Sequence, residues 1–183
     1  MRFNTVLIIL LSLSYVAFSL PTQENIRPSL NYENDPCGNP FNESMAWTPI
    51  DGNVVKVLDG DTIIISIRDK NQLTVHLAGI EAPEDSKLRS DSRLYLEKMA
   101  LNTNVDVIVN PSFWGYMKPK PNQVTGIVRI SHVKDASLAM IESGMARYKE
   151  PSAYEMSKYA ECPYKNAQDK AREAKRGLWQ GVR

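Results

Sequence analysis

Two periods of hydrophobic spacing alternate along this chain. Asn53 to Leu58 and Thr62 to Arg68 are β-branched runs flanking Asp59-Gly60-Asp61, the signature of a hairpin. Asp69-Lys70-Asn71-Gln72 makes a second turn. Leu73, Val75 and Leu77 then alternate with Thr74 and His76, which predicts a third strand and a meander. Ser90 or Asp91 is placed to cap a helix running to about Leu101, with Leu94, Leu96, Met99 and Leu101 as its apolar positions. Val105–Val109 and Val124–Ile130 read as two further strands joined by the loop Asn110 to Asn122. Asp135 caps a short helix, Ala136 to Ser143, that Gly144 stops. The end is helical: Ala153 to Glu161, a break at Cys162-Pro163, then Tyr164 to Arg176, with Gly177 just past the end and Leu178-Trp179 packing back. Three strands, a helix, two strands and C-terminal helices form the order of an α+β protein built on a five-stranded β-barrel.

The N-terminus does not fit that pattern. Val6 to Phe18 holds no charge over 13 residues, short of the about 20 that a spanning helix needs. Ala17-Phe18-Ser19 follows as a small-x-small cleavage pattern, so residues 1–19 read as a signal peptide. No later run is long and apolar enough to span. The expectation is an exported protein, secreted or periplasmic, with no membrane contact after cleavage and a monomeric state. Residues 20–52, with Pro21, Pro28, Pro36 and Pro40 and no sustained period, read as an exposed leader, and 53–183 as the domain.

Composition sharpens this division. The 183 residues include 43% apolar and 23% charged side chains, which excludes wholesale disorder and suits one core. A net charge of +1 argues against a dedicated basic nucleic-acid sleeve. That balance is uneven, however. Glu24, Glu33, Asp35, Glu43 and Asp51 against Arg27 make the leader acidic, while residues 53–183 hold 20 basic and 16 acidic side chains. Cys37 and Cys162, an even pair in an exported chain, predict one disulfide. It would be worth about 4–5 kcal/mol at most in the chain-entropy model. Two unpaired thiols are the alternative. No zinc-ligand spacing is present, and Asn42-Glu43-Ser44 is a glycosylation sequon.

Four strings then stand out: Val57-Leu58-Asp59-Gly60-Asp61-Thr62, Val75-His76-Leu77-Ala78-Gly79-Ile80-Glu81-Ala82-Pro83-Glu84, Ser137 to Ala146, and Ala171 to Trp179. In identity and order they resemble the staphylococcal nuclease (thermonuclease-like) family over about residues 53–180. The resemblance implies an OB-type barrel and calcium-dependent phosphodiester hydrolysis of nucleic acid. It places the metal carboxylates on Asp61 and Glu81, the latter one methylene longer than the family's residue. The carbonyl ligand falls on Ala82 and the water-orienting glutamate on Glu84. Hard cations take oxygen donors, so the residue types suit calcium. Turn geometry and surface solvation are the alternative reading of these acids.

The family's two phosphate-binding arginines are replaced. One position falls on His76. The other falls on Gln123 when Gly126 is aligned as the small residue three positions later; a second register puts Ile127 there. Neither choice restores a bidentate guanidinium fork. Losing one preorganised donor costs about 10²–10³ in rate, so the inherited hydrolysis is expected to be weak or lost. His76, if protonated, and Lys118 and Lys120 are candidate substitute cations. Alternatively His76 is a polar residue on a strand's outer face. Trp114, Tyr116, Lys118 and Lys120, with Tyr148, are the candidate contacts to single-stranded nucleic acid or a nucleotide phosphate; packing onto the barrel is the competing reading of the aromatics. The interleaved charges of Tyr164–Arg176 read as a solvated face. The rival function is a non-catalytic OB-fold module binding nucleic acid, glycan or protein.

Overall fold

A long bent strand, β1 (Thr48–Asp59), organises the barrel by pairing with a different neighbour along each half. The computed structural model describes residues 48–68, 71–110, 122–132, 134–151 and 158–181. The predicted signal peptide, Cys37, the sequon and the loop carrying Trp114, Tyr116, Lys118 and Lys120 lie outside the described residues.

The second half of β1 forms the expected hairpin with β2 (Thr62–Ser66), and β3 (Gln72–Leu77) completes the meander. Its first half pairs antiparallel with β5 (Asn104–Val109), from Thr48↔Val109 to Asn53↔Asn104. The strand therefore begins five residues before the predicted start at Asn53. Residues 48–52, read from their polarity as leader, are held by ladder bonds to β5 that no local period announces. Val54 pairs with Ile65 and Lys56 with Ile64, while Val57 pairs with Ile63 and Asp59 with Thr62, so Val55 and Leu58 are the extra residues of two bulges. Bulges bend a strand and turn out the inserted side chain, which is why these two apolar residues are 40% and 42% exposed.

β5 continues antiparallel into β6 (Gln123–Ile130), and β6 pairs parallel with β3, from Thr74↔Gln123 to Leu77↔Gly126. That parallel seam closes a five-stranded mixed barrel. Val54, Ile63, Ile65, Val75, Val105, Val107 and Val128 fill it, each 0–1% exposed. Two-residue strands β4 (Ile80–Glu81) and β8 (Arg147–Tyr148) form a small second sheet, and β7 (Lys134–Asp135) extends β6.

Among the described residues, three helices cover the barrel. Helix α1 (Ser86–Ala100) starts earlier than Ser90, because Asp85 caps it by accepting from the Lys87 and Leu88 amides, both at 3.0 Å. Its buried stripe is Ser92, Leu96 and Ala100, whereas Leu94 is exposed and Leu101 is the C-cap. Ser92 lies where a Cβ on Gly60 would sit, so the hairpin turn is glycine because α1 docks directly on it. Arg89 secures the contact by donating to Asp59 at 2.9 Å. Helix α2 (Ala136–Glu142) has the expected Asp135 cap, which accepts from the Leu138 amide at 3.0 Å. Helix α3 (Lys158–Glu173) runs through Pro163 without the expected break. An interior proline costs about 3 kcal/mol, and α3 offsets this by burying Tyr164, Ala167 and Ala171. Beyond it, Gly177–Trp179 makes a 3₁₀ turn that buries Leu178, as the pattern predicted.

Gly144 (φ 71°) and Gly177 (φ 49°) lie backbone to backbone, with the Leu178 amide donating to the Gly144 carbonyl at 2.8 Å. A Cβ on Gly144 would strike the Arg176 carbonyl, and one on Gly177 would strike the Gly144 carbonyl. Gly144→Ala or Gly177→Ala is therefore expected to lower the urea midpoint, at a cost above about 1 kcal/mol.

The Asp135 carboxyl also accepts from the Tyr164 hydroxyl at 2.7 Å. Desolvation raises its pKa above the ordinary carboxylate value, and the bonds from Tyr164, Leu138 and Ser137 and the charge of Arg129 offset this only in part. The fold thus favours the neutral form. The contribution of Asp135 to stability is complete below the unfolded pKa and is lost as pH rises through the folded one. Relative to Asp135→Asn, which keeps an acceptor, the parent should gain stability between about pH 7 and about pH 4, read by denaturation across that range.

Candidate functional site

The acidic string is held on a sharp corner between the barrel and α1. β3 ends at Leu77, Ala78 and Gly79 turn the chain, β4 contributes Ile80 and Glu81, and Ala82-Pro83-Glu84 lead to the Asp85 cap. Four hydrogen bonds clamp this corner. The Ala78 amide donates to the Gly126 carbonyl at 2.9 Å, and Ser137 Oγ to the Ala78 carbonyl at 2.9 Å. The Lys149 amide donates to the Gly79 carbonyl at 3.0 Å, and the Leu77 amide to the Asp61 carbonyl at 2.8 Å.

Asp61 is the most constrained member. Its Oδ2 accepts from the Ala82 amide at 3.0 Å and its Oδ1 from the Thr62 hydroxyl at 2.7 Å. The bond to Ala82 joins the hairpin turn to the acidic corner, so residues 21 apart in sequence share one site. Thr62 Oγ1 also lies 3.2 Å from His76 Nδ1. A hydroxyl has one proton, and the shorter contact to the Asp61 carboxylate takes it. Nδ1–H of His76 therefore donates to Thr62, and neutral His76 presents an unprotonated Nε2. Only its imidazolium form offers a second N–H to a phosphate oxygen.

His76 is exposed on the outer face of β3, opposite Thr62 on one side and Thr125 on the other. Gln123 pairs with Thr74 two residues away, so His76 and Gln123 flank the closing seam on the same face. An open cleft of about 230 Å³ gathers Asp61, His76, Thr125, Lys149 and Glu150, but not Gln123. A second groove, of about 130 Å³, is lined by Glu81, Ala82, Glu84, Asp85, Arg147 and Leu178. Lys149 of the cleft and Glu81 of the groove form an ion pair, Nζ to Oε1 at 3.1 Å.

The residues expected as metal donors lie on adjoining segments and offer hard oxygens: Asp61 is joined to the Glu81-Ala82 segment through the Ala82 amide. That chemistry fits calcium, although among the described residues no group of three or more His, Cys, Asp or Glu side chains converges on one point. Tyr148 lies against α3. Its amide donates to Gln168 Oε1 at 3.0 Å, its hydroxyl to Glu161 at 3.3 Å, and the Lys165 ammonium sits 5.5 Å from its ring centre. Burial and the Glu161 carboxylate raise its pKa. Among the described residues no cysteine is free, and Asn166 Nδ2 lies 3.6 Å from Cys162 Sγ. The site residues overlooked in the sequence are Arg147, on the two-residue strand β8, and Lys149, just past its end; no local period marks either.

A family model described as staphylococcal nuclease homologue matches residues 74–181, more than half of the chain. The chain belongs to the staphylococcal nuclease family. The match covers His76, Glu81, Ala82, Glu84 and Gln123 of this nuclease-family domain, while Asp61 enters the site through the fold. No curated protein matches the chain.

Asp61→Ala would leave the Ala82 amide without its acceptor. The expected cost is about 1–3 kcal/mol, with faster hydrogen exchange at that amide, measured by urea denaturation and NMR.

Proposed function

We propose that this is an exported, monomeric member of the nuclease family whose acidic corner performs slow, calcium-assisted hydrolysis of phosphodiesters in single-stranded nucleic acid. The observation that carries the reading is the Ala82–Asp61 hydrogen bond, which sets Asp61 beside the Glu81–Glu84 segment in a family domain. Asp61, Glu81 and the Ala82 carbonyl would hold calcium, which when bound supplies Lewis-acid polarisation of a phosphate oxygen. Two carboxylates are a low charge count, so the affinity is expected at the weak end, about 10⁻⁴–10⁻³ M.

The protein's own groups supply the rest. Glu84 is exposed in its groove and takes a proton from the attacking water. Asp61 is held by Thr62 and Ala82 and needs no reorganisation. His76 orients a phosphate oxygen when protonated, and Gln123 offers only a neutral amide. With two guanidinium forks replaced, the charge that builds up in the transition state is poorly met, so the rate is low. The signal peptide 1–19, and a Cys37–Cys162 disulfide between the leader and α3, belong to the same proposal. The second reading, a non-catalytic binding module, draws on the replaced arginine positions at His76 and Gln123.

The test is cleavage of single-stranded DNA by the mature chain with calcium or with chelator, beside Glu84→Gln. Cleavage should need both calcium and Glu84, and Glu84→Gln should lower it by about 10²-fold or more. His76→Arg with Gln123→Arg should raise it by about 10²-fold or more. Cleavage indifferent to calcium and to Glu84 overturns the hydrolytic reading and leaves the binding module.

A further inference from the structure

The acidic corner raises an electrostatic problem of its own. Asp61, Glu81 and Glu84 together repel a phosphodiester, and the two positions where guanidinium groups would counter them hold His76 and Gln123. Two cations beside Glu81 come from β8, a strand outside the barrel, and from the residue that follows it. Arg147 is the cross-strand partner of Glu81, and Lys149 donates to Glu81 Oε1 at 3.1 Å. Arg147 and Lys149 stand beside Glu81 and border different openings of the acidic corner. Arg147 borders the groove of Glu84, and Lys149 borders the cleft of Asp61 and His76.

We infer that Arg147 and Lys149 form a relocated phosphate clamp that binds successive phosphodiesters of a single strand laid across Glu81. The inference rests on reading this corner as a phosphodiester site. Two features prepare the clamp. The Arg147 guanidinium lies 5.9 Å from the centre of the Trp179 ring, whose other neighbour is Arg172 at 4.5 Å. Stacking holds a guanidinium in place while leaving its N–H edge free to donate. Lys149 is 62% exposed and Glu81 53%, and such a surface pair is worth under about 1 kcal/mol. An incoming phosphate therefore takes the ammonium at little cost. Lysine binds phosphate as a point charge and arginine as a fork, so Arg147 dominates orientation and Lys149 adds attraction.

Binding of a short fluorescein-labelled oligothymidylate to the mature chain, followed by anisotropy in chelator over a salt titration, tests this apart from hydrolysis. Arg147→Gln and Lys149→Gln should each weaken binding roughly threefold to tenfold and reduce the salt slope by about 0.7. Lys149→Arg should restore binding. Lys98→Gln, an exposed cation on α1, should leave affinity and slope unchanged. An uncharged methylphosphonate strand should bind all variants equally poorly. The clamp is overturned if the parent does not bind, if the double variant binds as tightly with the same slope, or if Lys98→Gln weakens binding as much. Glu84→Gln separates the two readings. Binding that needs Arg147 and Lys149 without Glu84-dependent cleavage sinks the hydrolytic reading and leaves the clamp standing.

Discussion

The parallel pairing of β3 with β6 is the constraint on which the rest of the molecule depends. Its ladder, from Thr74↔Gln123 to Leu77↔Gly126, joins segments about 50 residues apart in sequence and leaves the barrel no open edge there. Once it forms, the inward side chains of five strands face one another and water is excluded from the valine and isoleucine core. The same ladder ends where Ala78 hands the chain to the acidic corner, with its amide on the Gly126 carbonyl. Core closure and site placement are thus one event, and an error of register at the seam would move His76, Gly79 and Glu81 together.

Around that seam the protein spends hydrogen bonds on holding acids rather than on holding cations. Asp61 accepts from a hydroxyl and an amide, and Asp85 and Asp135 cap helices that leave the site on either side. The basic groups have fewer bonds: Lys149 lies in an exposed pair, and Arg147 is stacked over Trp179. Asp61 is thus fixed while the cations beside the site are open to solvent. Preorganised charge lowers a barrier because it does not reorganise during reaction. A site with its rigidity on the acid side keeps only part of that advantage, in line with the slow hydrolysis proposed for it.

Strand periods, the DGD hairpin, the Asp135 cap and the glycine stop at Gly144 were legible because each depends on neighbours a few residues away. The same held for the GIEAPE corner, whose residue types carry their chemistry locally. Three features were not legible, each for a different physical reason. The extension of β1 to Thr48 depends on ladder partners in β5, 51 to 61 residues on. The passage of α3 through Pro163 depends on the burial of Tyr164, Ala167 and Ala171, which outweighs a local preference. The start of α1 was placed late because Leu94 resembles a core position, yet the docked face is Ser92, Leu96 and Ala100 against Gly60.

By itself the sequence determined the family of the fold and the acidic residues of the corner, since residue type and spacing are sufficient for these. Tertiary structure alone decided which cations stand beside the acids. Arg147 and Lys149 lie 66 and 68 residues from Glu81 and reach it only through the two-residue ladder of β4 and β8. Charge acts through space at a few ångströms, and a chain that folds into a barrel makes those ångströms independent of distance along the sequence.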